Sequence, residues 1–248
     1  MIGAAYVLAG RLVALNNRVE IETLDIVALR TSIDDLANEI RFSPPADLGH
    51  KHAAVRDFVI QSQLRRAEDP IVFIGDSITE SAFLPATICG HPVVNAGLGG
   101  ANSRTYLQFA KTALSTLSAR LIVVALGTND SQIAALKARR PFSESYDKLI
   151  GFLKPHTTAL VLVGIPPLEM TQPLAREYFD KAASDENERA IKTIAARDSI
   201  SLADVQSAMI DEKITVDGVH LSRDGYQRWN TAISSAVSKT LNCQVASN

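Results

Sequence analysis

Ile71-Val72-Phe73-Ile74-Gly75-Asp76-Ser77-Ile78-Thr79 decides the fold of this 248-residue chain. Four apolar residues rich in β-branching run into a glycine, an acid and a serine. The pattern predicts a buried strand that delivers a hydroxyl at its C-terminal end. Open α/β sheets bind ligands outside the carboxyl ends of their strands. Ser77 therefore arrives where such folds carry out chemistry, and it is the candidate nucleophile.

Working outward, an amphipathic helical pattern from Ala53 to Ala67 precedes the Asp69-Pro70 turn. Downstream, Val93-Val94 leads into Asn95-Ala96-Gly97, and a helical pattern starts at about Ser103. Leu121 to Leu126 is wholly apolar and ends in Gly127-Thr128-Asn129-Asp130. Ala159 to Ile165 is a further apolar run, closed by Pro166-Pro167. Residues 200 to 205 make a weaker strand, and Ser222 caps a last helix with Tyr226, Trp229, Ile233 and Val237 on one face. Continuous apolar strands separated by helices predict a parallel sheet covered on both faces.

Upstream the pattern changes. Ala5, Leu8, Leu12, Leu15 and Val19, then Ile26, Leu29, Ile33, Leu36 and Ile40, keep a 3-4 spacing that only Glu22 interrupts. That repeat predicts a long N-terminal helix and permits a coiled coil, making residues 5–40 a candidate homo-oligomer contact. Asp25 and Arg30 would pair between the chains of a parallel dimer; a helix packed along the catalytic domain is the plainer alternative. Ser43-Pro44-Pro45 ends the helix. The expected organisation is thus a helix over 1–41, a linker over 42–52 and a catalytic domain over 53–248.

Net charge of −2 and a pI near 6.2 leave no basic footprint, which argues against nucleic acid as a partner. Met1 to Leu15 is mostly apolar, but Arg11 interrupts it and it is shorter than the roughly 20 residues that span a bilayer. It also lacks the basic start and small-residue cleavage site of a secretory signal. As written the chain reads as cytoplasmic; a membrane-anchored or periplasmic protein would need a longer native start. Cys89 and Cys243 are too few for a disulfide framework and have no metal-ligand spacing.

Acyl transfer needs a nucleophile, a base, and donors aimed at the oxygen that becomes negative. If the strands ending at Ile74 and Leu126 are neighbours, Ser77 and Asn129 share a rim. Of His50, His52, His91, His156 and His220, only the last stands in a motif, Asp217-Gly218-Val219-His220-Leu221-Ser222. An Asp three residues ahead can accept from Nδ1 and turn Nε2 toward the serine. His50 and His52 form an H-x-H pair in the expected linker, His91 reads as a turn residue, and His156 reads as a helix-end cation. Donors for the oxyanion would be the Ser77 and Gly97 N–H groups and the Asn129 amide, Gly97 letting backbone approach substrate closely.

In this order these residues resemble the GDSL, or SGNH, hydrolase family. Gly75-Asp76-Ser77-Ile78, Gly97, Gly127-Thr128-Asn129-Asp130 and Asp217-Gly218-Val219-His220 match its four blocks over about residues 70 to 240. The resemblance implies a flavodoxin-like three-layer α/β/α sandwich with five parallel strands. It implies Ser77 as nucleophile, His220 as base, Asp217 as its orienter, and Ser77, Gly97 and Asn129 as oxyanion donors. No metal or organic cofactor is implied. The G-x-S-x-G elbow of α/β-hydrolases is absent.

The expected reaction is acyl-enzyme hydrolysis of a small-molecule carboxylic ester, with short acyl groups such as acetyl on carbohydrate favoured because little room exists for a long apolar insertion. Glu169 to about Ser184 would be a lid or a pocket wall. Lysophospholipase and thioesterase activities are alternatives within the family. Outside it stand a non-catalytic binding or scaffold module and a metal phosphoesterase built on Asp76, Asp130, Asp217 and His220.

Overall fold

The computed structural model describes residues 48–136, 141–209 and 213–243. The N-terminal heptads, and the linker up to residue 47, lie outside the described residues. Helix α1 spans Leu48–Leu64. Strand β1, Ile71–Gly75, is buried along its whole length. Helix α2, Ser77–Glu80, follows after a single residue, then β2 (Thr87–Ile88), β3 (His91–Gly97) and α3 (Ser103–Ala113). Next come β4 (Leu121–Ala125), α4 (Ile133–Leu136), α5 (Phe142–Leu153), β5 (Leu160–Val163), α6 (Pro173–Tyr178), α7 (Lys181–Arg197), β6 (Ser201–Ala203) and α8 (Arg223–Leu241).

The strands line up as β2-β3-β1-β4-β5-β6. Five of them run parallel, β3, β1, β4, β5 and β6. The chain moves from β1 out to β3 on one side, then returns to place β4 on the other. Ligand crevices form where the strand order reverses in this way. Gly75 pairs with Gly97 on one flank and with Ala125 on the other, so the segments after all three strands emerge together.

The two faces of the sheet are covered separately. Ile71, Phe73, Leu121, Val123, Val161 and Val163 join Trp229, Ile233 and Val237 of α8 in one buried cluster, with the Phe73 and Trp229 rings 6.4 Å apart. Val72, Ile74, Ile122, Val124 and Leu162 are buried too, and the two-residue period of a strand turns them to the opposite face. There α3 packs on α5, and α5 on α7. Each such side chain contributes on the order of 1.5–3 kcal/mol by leaving water. The molecule is thus the three-layer α/β/α sandwich expected.

Several details differ from the sequence reading. α1 starts at Leu48, so residues 48–52 of the expected linker are helical and carry His50 and His52 on a helix rather than a loop. Its apolar residues are split, with Ile60 fully buried but Val55 and Phe58 exposed. β2 adds a two-residue antiparallel edge strand beside β3. His91 opens β3 rather than sitting in a turn. Cys89 and Cys243, discounted as a framework, are joined as a disulfide with Cα atoms 5.9 Å apart.

Candidate active site

Asp76 builds the turn between β1 and α2. It is the N-cap of α2, and its side chain accepts from the Ile78 N–H at 2.9 Å. Thr79 crowds Gly75 so closely that a Cβ there would lie 1.9 Å from its Oγ1, which explains the glycine. Tyr226 of α8 donates from its hydroxyl to Ile78 O at 2.8 Å, fixing α2 from the far side. The result is a short, pinned helix with Ser77 as its first residue.

His220 comes from the loop between β6 and α8, 143 residues further along the chain, yet its Nε2 lies 3.1 Å from Ser77 Oγ. On the other side of the ring, Nδ1 lies 2.7 Å from Asp217 Oδ2. With the Nδ1 proton directed at that carboxylate, Nε2 presents its lone pair to the serine hydroxyl. Asp217 Oδ1 accepts from the N–H groups of Val219 and His220 at 3.0 and 2.8 Å. Burial alone would raise the Asp217 carboxyl, but the His220 side chain and these two N–H groups outweigh it and hold it below the usual carboxylate range. Gly218 has φ +99°, and a Cβ there would come within 2.7 Å of Gln172, so this tight loop admits glycine.

Asn129 stands beyond β4 in a single 3-10 turn and is buried. Its Oδ1 accepts from Gln132 Nε2 at 2.7 Å, and its Nδ2 donates to Ala101 O at 3.0 Å. One Nδ2 proton meets Ala101, and an amide carries two. Asp130 is turned to Ser103, whose N–H and hydroxyl it accepts. Burial raises the Asp130 carboxyl against those two bonds.

Gly97 differs from its expected role. Its N–H donates to Asn95 Oδ1 at 2.9 Å and so is engaged within the end of its own strand. A Cβ on Gly97 would lie 2.3 Å from Glu80 N, so this glycine lets β3 pass against α2. Three residues on, Gly100 is exposed, has φ +75° and makes no hydrogen bond through its N–H among the described residues. The next residue, Ala101, is the one that Asn129 holds. The sequence signal for this position was the pair Gly99-Gly100, overshadowed by Gly97 at the strand end.

The remaining histidines stand elsewhere. His91 Nδ1 is 2.9 Å from Asp69 O, and His156 Nδ1 is 3.0 Å from Leu117 O. Among the described residues no group of three His, Cys, Asp or Glu side chains could hold a metal ion, and Asp130 and Asp217 are committed to different partners.

Residues 73–228 match the GDSL-like Lipase/Acylhydrolase family. The chain belongs to that family and is a carboxylic ester hydrolase of the GDSL type. It is similar to an isoamyl acetate-hydrolyzing esterase of Schizosaccharomyces pombe, 27% identical over an aligned length of 185 residues, with 68% of this chain and 75% of the relative covered. Two solved structures share the fold. A GDSL-like lipase from Bacteroides thetaiotaomicron superposes with a TM-score of 0.60 at 21% identity, over 77% of this chain and 97% of its own. A carbohydrate acetylesterase from Sinorhizobium meliloti gives 0.54 at 22% identity, over 70% of this chain and all of its own, 100%.

Proposed function

We propose that this protein hydrolyses short-chain carboxylic esters, acetyl groups on carbohydrate foremost, through an acyl-enzyme on Ser77. The observation that carries the reading is the hydroxyl–imidazole–carboxylate line, 3.1 Å from Ser77 Oγ to His220 Nε2 and 2.7 Å from His220 Nδ1 to Asp217 Oδ2.

In this reading Ser77 Oγ bonds to the ester carbonyl carbon as its proton passes to His220 Nε2, and Asp217 stabilises the imidazolium. The tetrahedral intermediate collapses, the carbon–oxygen bond to the alcohol breaks, and that oxygen leaves with the proton from Nε2. Water then adds to the acyl-enzyme by the same route, giving the free acid and restoring Ser77. The Ser77 N–H at the start of α2 and the second proton of the Asn129 amide serve as oxyanion donors. The third donor is Gly100, not Gly97, because only the former keeps its N–H free of the fold. A well-placed donor of this kind is worth ~3–4 kcal/mol in the transition state.

Short acyl groups are supported from two sides. In the segment from Glu169, expected to form a lid or pocket wall, Ala175 and Phe179 pack, with Leu168 just ahead of it, against Val219 of the His220 loop, which leaves these side chains unavailable to line a long acyl channel. The relatives named for acetate and for carbohydrate acetyl groups point the same way. Rates on p-nitrophenyl acetate, butyrate, octanoate and palmitate test this, followed by acetate release from acetylated sugars. The acetyl ester should be fastest, and Ser77→Ala should lose at least about 10³-fold while remaining folded. A palmitate optimum would reject the substrate class, and turnover retained by Ser77→Ala would reject the site.

A further inference from the structure

Arg56, on α1, reaches the C-terminal end of β3. Its Nε donates to Gly97 O at 2.9 Å and an Nη donates to Asn95 O at 3.0 Å. The same Nε lies 3.6 Å from Glu80 Oε1, and the two side chains are only 15% and 20% exposed. Glu80 Oε2 in turn accepts from the Gly99 N–H at 2.6 Å. Glu80 closes the short helix that Ser77 opens. Asn95 Nδ2 adds a second tie, donating to Thr79 O of that helix at 2.8 Å.

We propose that Arg56 is a positioning residue for ester hydrolysis: by holding the Asn95 and Gly97 carbonyls and the Glu80 carboxylate together, it sets where the Gly99-Gly100 backbone stands relative to Ser77. This rests on the esterase reading of Ser77 and extends it to a residue outside the matched segment 73–228. The chemistry suits arginine. A planar guanidinium presents donors in a fixed fork, so one side chain can donate to two carbonyls while its charge faces the Glu80 carboxylate. Lysine, with a compact ammonium on a flexible stem, cannot reproduce that fork. The requirement is strict because an oxyanion donor must stand about 2.7–3.1 Å from the developing charge, and such a constellation must be held within about 0.5 Å of its productive geometry. Arg56 touches no reacting atom in this scheme. Its effect passes wholly through the Gly99-Gly100 backbone.

The test uses full-length Arg56→Ala and Arg56→Lys, each normalised to the active sites titrated with a fluorophosphonate. The readouts are p-nitrophenyl acetate kinetics, the pH profile, and affinity for a phenylboronic acid, which forms a tetrahedral adduct on the serine. Arg56→Ala is expected to lower kcat by about 10- to 100-fold with KM little changed, and to weaken the boronate in step. The acid limb of the pH profile should stay where it is, since Arg56 holds Gly97, Asn95 and Glu80 and not the His220–Asp217 pair. Millimolar guanidinium ion should restore part of the rate. If Arg56→Ala does not fold, Arg56→Lys decides: a loss of about fivefold or more, shared by kcat and boronate affinity, supports the role. Wild-type kcat and boronate affinity in the variant that folds would overturn it. So would a loss seen in kcat but not in boronate affinity. If the wild-type protein is not labelled at Ser77, the esterase reading itself has failed, a result distinct from an unchanged Arg56 variant.

Discussion

Asp76 precedes the nucleophile and is buried, and its burial has a measurable consequence. Desolvation pushes its carboxyl from 3.8 up to about 7; the Asp130 charge adds to this, while the Ile78 N–H and His220 oppose it. Between these values the folded protein keeps a proton that the unfolded chain has released. The contribution of Asp76 to stability therefore falls as pH rises from about 4 to 7 and levels off above. Asp76→Asn keeps an oxygen for the Ile78 N–H but carries no charge. It should be more stable than wild type at pH 8, by at most on the order of 4 kcal/mol, and should lose that advantage at pH 4. Urea unfolding at the two pH values measures this, and an equal difference at both would contradict it. At this scale the sequence was informative where a residue sits in a short motif. Ser77, Asn129, Asp217 and His220 all stood in one. It was uninformative where a role depends on an unseen neighbour. Gly97 looked like a donor until its N–H was found on Asn95 Oδ1, and nothing near Arg56 in the chain announces the strand end it holds.

Among elements, the loop carrying Asp217 and His220 depends most on a distant support. Glu169 Oε1 accepts from the N–H groups of Ile214 and Thr215 at 2.6 and 2.9 Å, while the Glu169 N–H donates to Gly218 O at 3.0 Å. Thr215 Oγ1 accepts from the Gly218 N–H, and Val216 N–H donates to His220 O. Glu169→Ala removes the acceptor for two N–H groups, a cost of ~1–3 kcal/mol for each that stays buried and unpaired. It should lower kcat by roughly tenfold and speed amide exchange at Ile214 and Thr215, whereas Glu169→Gln, which keeps an acceptor oxygen, should retain most activity. Wild-type kcat and exchange in the alanine variant would remove Glu169 from this role. The parallel strands were legible because continuous apolar runs leave few alternatives. β2 was not, since two residues carry no period. The start of α1 was misread because Pro44-Pro45 marks only the residues beside it, and a helix can begin three residues later.

Over the whole molecule, the strand order is what joins distant segments. Placing β1 between β3 and β4 brings the segments that carry Ser77 and Asn129 out at the same end of the sheet, and α8, packed over that sheet, follows the loop whose His220 meets Ser77. Apolar strands alone foretold the layers; the meeting of segments followed only with the recognised motif order. The Cys89–Cys243 bond gave no signal, because a separation of 154 residues matches no local pattern. The heptads over residues 5–40 remain a prediction from sequence. Light scattering of the full chain should give at least twice its 26.8 kDa mass, and a chain starting at residue 43 should give the monomer; a monomeric full chain would remove the coiled coil.

Hydrolysis through Ser77 requires that His220 activate its hydroxyl. The most direct measurement treats the wild-type protein and His220→Ala with a tagged fluorophosphonate and maps the modified peptide by mass spectrometry. The wild type should carry one label, on Ser77, and His220→Ala should label at least about 10³-fold more slowly. A label on another residue, or equal labelling rates in the two proteins, would contradict it.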